Sequence, residues 1–176
     1  MKIQATYIAN LFEYASYKSI SEEVLRNCLI EKGIDVCNQN NTVTETDYLN
    51  VFDAIHKTSA DENFGIHYGC YLNIKALGFI VQISLNASSI KQAVFILQNY
   101  LQDTFPLVSL EVEENKRKYI LSLTSKIKNV KLRNQVLDFV FCFIYRELKL
   151  MLSNELIPEL EVSNSNNVEF EKSLNV

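Results

Sequence analysis

Apolar residues recur at three- and four-residue intervals through most of this chain, and strict alternation is confined to one stretch near residues 107–123. The first spacing lines one face of a helix; alternation marks a strand with one buried face. Tyr7, Ile8, Leu11, Phe12 and Ala15 form the first helical stripe. Ser19 or Ser21 caps a second helix, with Glu22 and Glu23 in a first turn where the helix dipole favours negative charge. That helix is expected to carry Val24, Leu25, Cys28 and Leu29 and to stop at Gly33. After a polar loop at 37–41, Thr44 opens a third helix. Asp47, three residues on, serves as a weaker capping-box acid, and Tyr48, Val51, Phe52 and Ile55 form the stripe. Asp61 is expected to cap a short fourth helix lined by Phe64, Tyr68, Tyr71 and Leu72. Gly65 and Gly69 lie one above the other on it. Glycine costs about 1 kcal/mol in a helix interior, so this pair predicts close approach by another backbone.

The run at 77–85 reads as a helix or equally as a strand. Ser88 or Ser89 then caps a helix whose stripe is Ile90, Ala93, Val94, Leu97, Tyr100 and Leu101, and Pro106 ends it. Val108, Leu110 and Val112 alternate with polar partners, a turn follows at 114–116, and Tyr119, Leu121 and Leu123 alternate on the way back, which predicts a β-hairpin. The longest helix is expected over 129–154. Its middle, 136–148, is apolar on nearly every side, as befits a helix buried on several sides. Pro158 breaks it, 160–162 reads as a strand, and 166–176 reads as a polar tail or the start of a linker. The fold class is therefore α+β: an N-terminal helical bundle, a small antiparallel sheet with a hairpin, and a long buried C-terminal helix in a single domain over 1–165.

Composition narrows the function. With 176 residues the chain can bury about two-thirds of its unfolded surface. Four glycines and two prolines disfavour a turn-rich β-sandwich. The net charge of −4 lacks the basic excess of a nucleic-acid-binding surface. One basic cluster, Lys116, Arg117, Lys118, Lys126, Lys128, Lys131 and Arg133, reads as a solvated hairpin tip and helix start. Cys28, Cys37, Cys70 and Cys142 include no C-x-x-C pair and only His56 and His67 accompany them, so neither a metal nor a cofactor is expected. There is no signal-peptide pattern and no apolar run long enough to cross a membrane, which predicts a cytoplasmic protein with reduced thiols and no membrane partner. Neither histidine sits in a nucleophile elbow, and phosphate-cradle and zinc-protease motifs are missing. The chain is read as a non-enzyme; Cys70 and His67 are the residues around which a catalytic reading would have to be built.

The run Asp61-Glu62-Asn63-Phe64-Gly65-Ile66-His67-Tyr68-Gly69 resembles the D-x-x-F/L-G-L-x-x-G segment of the N-terminal effector-binding domain of AraC-type transcription regulators. Ala76-Leu77-Gly78-Phe79 is similar to that family's L-G-Y step, and Ser88-Ser89-Ile90-Lys91-Gln92-Ala93 to its S-x-T-L-x-x-A-L helix start. Tyr100-Leu101, Phe105-Pro106 and, upstream, Leu29 with Lys32-Gly33-Ile34-Asp35 match further steps, so that the resemblance covers roughly 20–165. It implies a bacterial sensor domain that binds a small-molecule effector and forms a homodimer. DNA would be bound only through a C-terminal helix-turn-helix domain expected beyond this chain. The strand at 118–124 or an apolar helix face would carry the dimer contact. The alternative is a stand-alone ligand-binding or adaptor protein. Haem-nitric-oxide sensor domains share the order of helix, hairpin and long helix, but the helix over 88–104 has no histidine to hold haem.

An effector pocket is mostly apolar with a few convergent polar groups. Polar or aromatic residues embedded in core elements are the candidates. These are Gln82 within its apolar run, Tyr100 on the inner stripe of its helix, and Tyr145 and Arg146 on the long helix, with Phe79, Phe141 and Phe143 as walls.

Overall fold

Thr44 and Asp47 make the capping box their spacing predicts. The Thr44 hydroxyl accepts from the Asp47 amide at 3.1 Å, and the Asp47 carboxylate accepts from the Thr44 amide at 3.2 Å. The computed structural model describes residues 1–72, 89–115, 118–151 and 167–174. Among these, seven helices and two two-stranded antiparallel sheets bear out the α+β reading. The expected elements at 77–85 and 160–162, and the candidates Phe79 and Gln82, lie outside the described residues.

In chain order the elements are β1 (Lys2–Gln4), α1 (Thr6–Tyr17), α2 (Glu22–Arg26), β2 (Thr42–Thr44), α3 (Glu45–Ser59) and α4 (Phe64–Tyr71). Then come α5 (Ile90–Thr104), β3 (Val108–Asn115), β4 (Lys118–Ser125), α6 (Val130–Met151) and α7 (Asn167–Leu174). The stripes of α1, α3 and α5 are buried where the periodicity places them, although Ile90 and Tyr100 are only half-buried. Ser89 is the N-cap of α5, accepting from the Gln92 amide at 3.2 Å. The hairpin pairs Leu110 with Leu123 and Val112 with Leu121.

Three details differ from the pattern. Helix α2 stops at Arg26, well before Gly33: the Cys28 and Leu29 amides turn back to carbonyls only three residues earlier, and beyond them Asp47 of α3 accepts the Ile30 amide at 2.7 Å. Leu25 and Leu29 still reach the core, but Val24 is exposed. Helix α4 is capped at Asn63 rather than Asp61; Asp61 instead accepts the Asn63 amide at 3.0 Å and turns its other oxygen to His67. The segment expected as polar tail contains α7, whose Phe170 and Leu174 are buried against Ile66, Cys142 and Tyr145. The pairing of β1 with β2, which aligns Ile3 with Val43, was not anticipated; three-residue strands carry too little periodicity to read.

The two glycines of α4 do what their spacing predicts. A Cβ on Gly65 would lie 2.1 Å from the Gln135 carbonyl oxygen of α6, and one on Gly69 would lie 2.7 Å from both the Phe139 carbonyl oxygen and the Cys142 Cβ. Gln135 also clamps the start of α4: its side-chain oxygen accepts the Gly65 amide at 2.6 Å and its nitrogen donates to the Glu62 carbonyl at 2.8 Å. The crossing of α4 and α6 is thus a close one, backbone against backbone.

Candidate ligand-binding site

The core beside this joint is aromatic. Phe105, just past α5, lies 4.7 Å from the Tyr7 ring of α1, 4.9 Å from Tyr48 of α3 and 5.8 Å from Phe139 of α6, while Tyr68 of α4 lies 4.9 Å from Phe139. Four helices therefore deliver tyrosines and phenylalanines to one place, and the tyrosines bring hydroxyls with them. The Thr104 hydroxyl donates to the Tyr100 carbonyl at 2.7 Å, so its single proton is committed, and Tyr7 must donate to it across 3.1 Å. Burial raises the pKa of Tyr7 well above the usual phenol value, and nearby Tyr100 adds to it.

Other polar groups here have nothing to bond. Among the described residues, the hydroxyls of Tyr14, Tyr48 and Tyr68 and one carboxylate oxygen of Glu147 are buried without a hydrogen-bond partner. Such a group costs about 1–3 kcal/mol of desolvation left unreturned. Burial raises the pKa of Tyr48 well above the usual phenol value, with Tyr68 and Tyr7 adding to it. Glu147, on α6, is 1% exposed; burial pushes its carboxyl up to about 7, against the pull of neighbouring Arg146. Its charge acts on Tyr100, which ties it to the same cluster.

Tyr100 is the sequence candidate that belongs to this cluster. Phe141 and Tyr145 face α7 instead: the Phe141 ring is 5.1 Å from Phe170, and Tyr145 packs with Cys142 and Leu174. Arg146 caps the end of α4, donating to the Gly69 carbonyl at 2.9 Å and the Leu72 carbonyl at 2.7 Å. Glu147 escaped the sequence reading, although a carboxylate four residues past Phe143 in a helix this apolar was a legible signal. Elsewhere, an open recess of about 210 Å³ lies between α5 and β3, lined by Gln98, Gln102, Pro106, Val108, Ser109 and Leu110. It carries no charged group, and Gln98 is already engaged with the Leu110 carbonyl at 2.8 Å.

The family model of the N-terminal arabinose-binding domain of AraC transcription regulators matches residues 22–165. The chain belongs to this family. No curated protein matches it. As an AraC-type arabinose-binding domain it falls among ligand-binding regulatory domains, which are not an enzyme family. Among its described residues no helix is long and apolar enough to cross a membrane, and no three or more His, Cys, Asp or Glu side chains are grouped to hold a metal ion.

In this AraC-type domain His67 is a clamp between elements. Its Nδ1 lies 2.7 Å from Asp61 and its Nε2 3.1 Å from Glu169 of α7, while Lys172 stands 3.8 Å from the same Glu169 oxygen. Partial burial opposes the charged ring, but the hydrogen bonds to Asp61 and Glu169 outweigh it, and the pKa rises above the ordinary 6.5. A raised histidine stabilises the folded arrangement fully below 6.5 and loses that contribution as pH climbs through its folded value. Amide exchange of 167–174, corrected for intrinsic rate, should therefore quicken relative to α6 between pH 5.5 and 8.5. His67→Gln should flatten that dependence; a dependence unchanged in the variant would assign it to another group.

Proposed function

We propose that this chain is the effector-sensing and dimerising domain of a bacterial, cytoplasmic AraC-type regulator, and that DNA is bound by a helix-turn-helix domain outside it. The effector is held at the cluster of Tyr7, Tyr48, Tyr68, Tyr100 and Glu147. The observation that carries this reading is the set of orphaned polar atoms, Tyr48 OH, Tyr68 OH and a Glu147 oxygen, delivered by three different helices into one aromatic core. Buried polar groups are nearly always paired, and several left over together mark a place where a small molecule completes the bonding. Phenol hydroxyls offer protons to acceptors and the carboxyl oxygen accepts one, so a compact molecule with both acceptors and donors fits. By touching α3, α4 and α6 together, such a molecule favours one packing of these helices over another, and that difference shifts the population.

The test is a thermal-unfolding screen of the purified chain against small polyols, sugars and hydroxy acids. A true effector at a hundred times its Kd adds about 2.7 kcal/mol. For a domain of this size that is a rise of roughly 5–10 °C in Tm. Tyr48→Phe, which keeps the ring and removes only the orphaned hydroxyl, should weaken binding at least tenfold while leaving the fold intact. Ligands whose affinity ignores Tyr48→Phe and Glu147→Gln alike would place the pocket elsewhere. Sedimentation of the chain at several concentrations tests the homodimer.

A further inference from the structure

The joint between α4 and α6 brings together two thiols that the effector reading does not use. Because Gly69 has no side chain, the Cys142 Cβ sits directly over it, and Cys70, the next residue, packs against the cluster in which Cys142 is buried. Both are free cysteines. Their environments are opposite. Cys70 is half-buried and donates to the Ser173 carbonyl of α7 at 3.7 Å; Cys142 is fully buried. His67 and Arg146 favour a thiolate at Cys70, whereas Asp138, one turn before Cys142 on α6, disfavours one there. One sulfur is placed to attack and the other to resolve.

We propose that Cys70 and Cys142 are a reversible oxidation site, at which a hydroperoxide drives formation of a disulfide tying α4 to α6. The Cys70 thiolate attacks the peroxide oxygen, breaking the O–O bond and giving a sulfenic acid and hydroxide. Cys142 then attacks the Cys70 sulfur, releases water and leaves the S–S bond. The two thiols lose two electrons and two protons in all, and one peroxide becomes two waters. Thiol exchange reverses it. A disulfide needs its sulfurs about 2 Å apart, and the packing of Cys70 against the cluster that buries Cys142 brings both thiols to this joint. The neighbouring Cys142 draws the Cys70 thiol down to about 7 against the effect of burial, with Arg146 and His67 helping, while Cys142 is pushed up. Oxidation also removes the proton that Cys70 donates to α7.

The experiment treats the native full chain with a few equivalents of hydrogen peroxide, blocks remaining thiols and digests it with trypsin without reduction. The expected product joins peptide 58–75 to peptide 134–146, two hydrogens lighter than their sum, and dithiothreitol removes it. A Cys28→Ser/Cys37→Ser variant should give the same linkage. In Cys142→Ala, Cys70 should stop at a sulfenic acid that dimedone traps; if that variant does not fold, the native-chain digest still decides. Over-oxidation of Cys70 to sulfinic acid without the linkage, or a linkage formed only in denaturant, would overturn the proposal.

Discussion

Gly65→Ala is expected to destabilise the domain by about 3 kcal/mol, the upper end of what overpacking usually costs. The added carbon would stand 2.1 Å from the Gln135 carbonyl oxygen, 2.8 Å from its carbon and 3.0 Å from its Cα, all backbone atoms of α6. A flexible side chain could swing aside, but backbone can yield only by moving α6. Moving α6 would pull the Gln135 amide off the start of α4, and with it the bonds to the Gly65 amide and the Glu62 carbonyl. Alanine's better helix propensity returns about 1 kcal/mol, which is too little to reverse the sign. Gly33→Ala is the control: nothing lies within 4 Å of its added carbon, so its effect should stay within about 0.5 kcal/mol. Urea unfolding at constant slope reads both variants. A Gly65→Ala protein as stable as the parent would mean that α4 and α6 are not in backbone contact.

The second large effect depends on pH and has the opposite sign. Glu147→Gln should stabilise the domain at pH 8 by up to about 3 kcal/mol and change little near pH 4.5. The carboxyl titrates near 4.5 when free and near 7 when buried in the fold. Below 4.5 it is protonated in both states and its contribution is fully present. As pH rises through 7 the folded protein must hold a buried charge, and stability falls. Glutamine keeps the shape and cannot ionise. A difference between parent and variant that is the same at pH 5 and pH 8 would contradict the burial of this carboxyl. If the effect is found, a side chain that weakens the fold at neutral pH is being kept for another purpose, and its orphaned oxygen is the group a ligand would engage.

Several features were legible because their cause is local. Thr44 and Asp47 lie within one helical turn, so their capping box is written in adjacent residues. The alternation at 108–123 fixes which face of the hairpin is apolar, and a helix apolar on nearly every side, as over 136–148, has to be covered. Gly65 and Gly69 announced a close neighbour without naming it. The motifs shared with AraC-type regulators located the family over nearly the span that its model matches.

The remainder needed partners distant in the chain. Asp47 holds the chain just past α2 by accepting an amide seventeen residues upstream, which no helix-stop rule contains. Helix α7 docks because Phe170 and Leu174 find Ile66, Cys142 and Tyr145; in sequence they are two apolar residues in a polar stretch. Whether a tyrosine hydroxyl or a glutamate oxygen is bonded depends on every element packed around it, so Tyr48, Tyr68 and Glu147 look ordinary until the helices are assembled. Periodicity and capping depend on neighbours within a turn or two and are fixed by the sequence itself. Burial, pairing and acidity are set by what the fold brings from elsewhere, and only the tertiary structure could decide them.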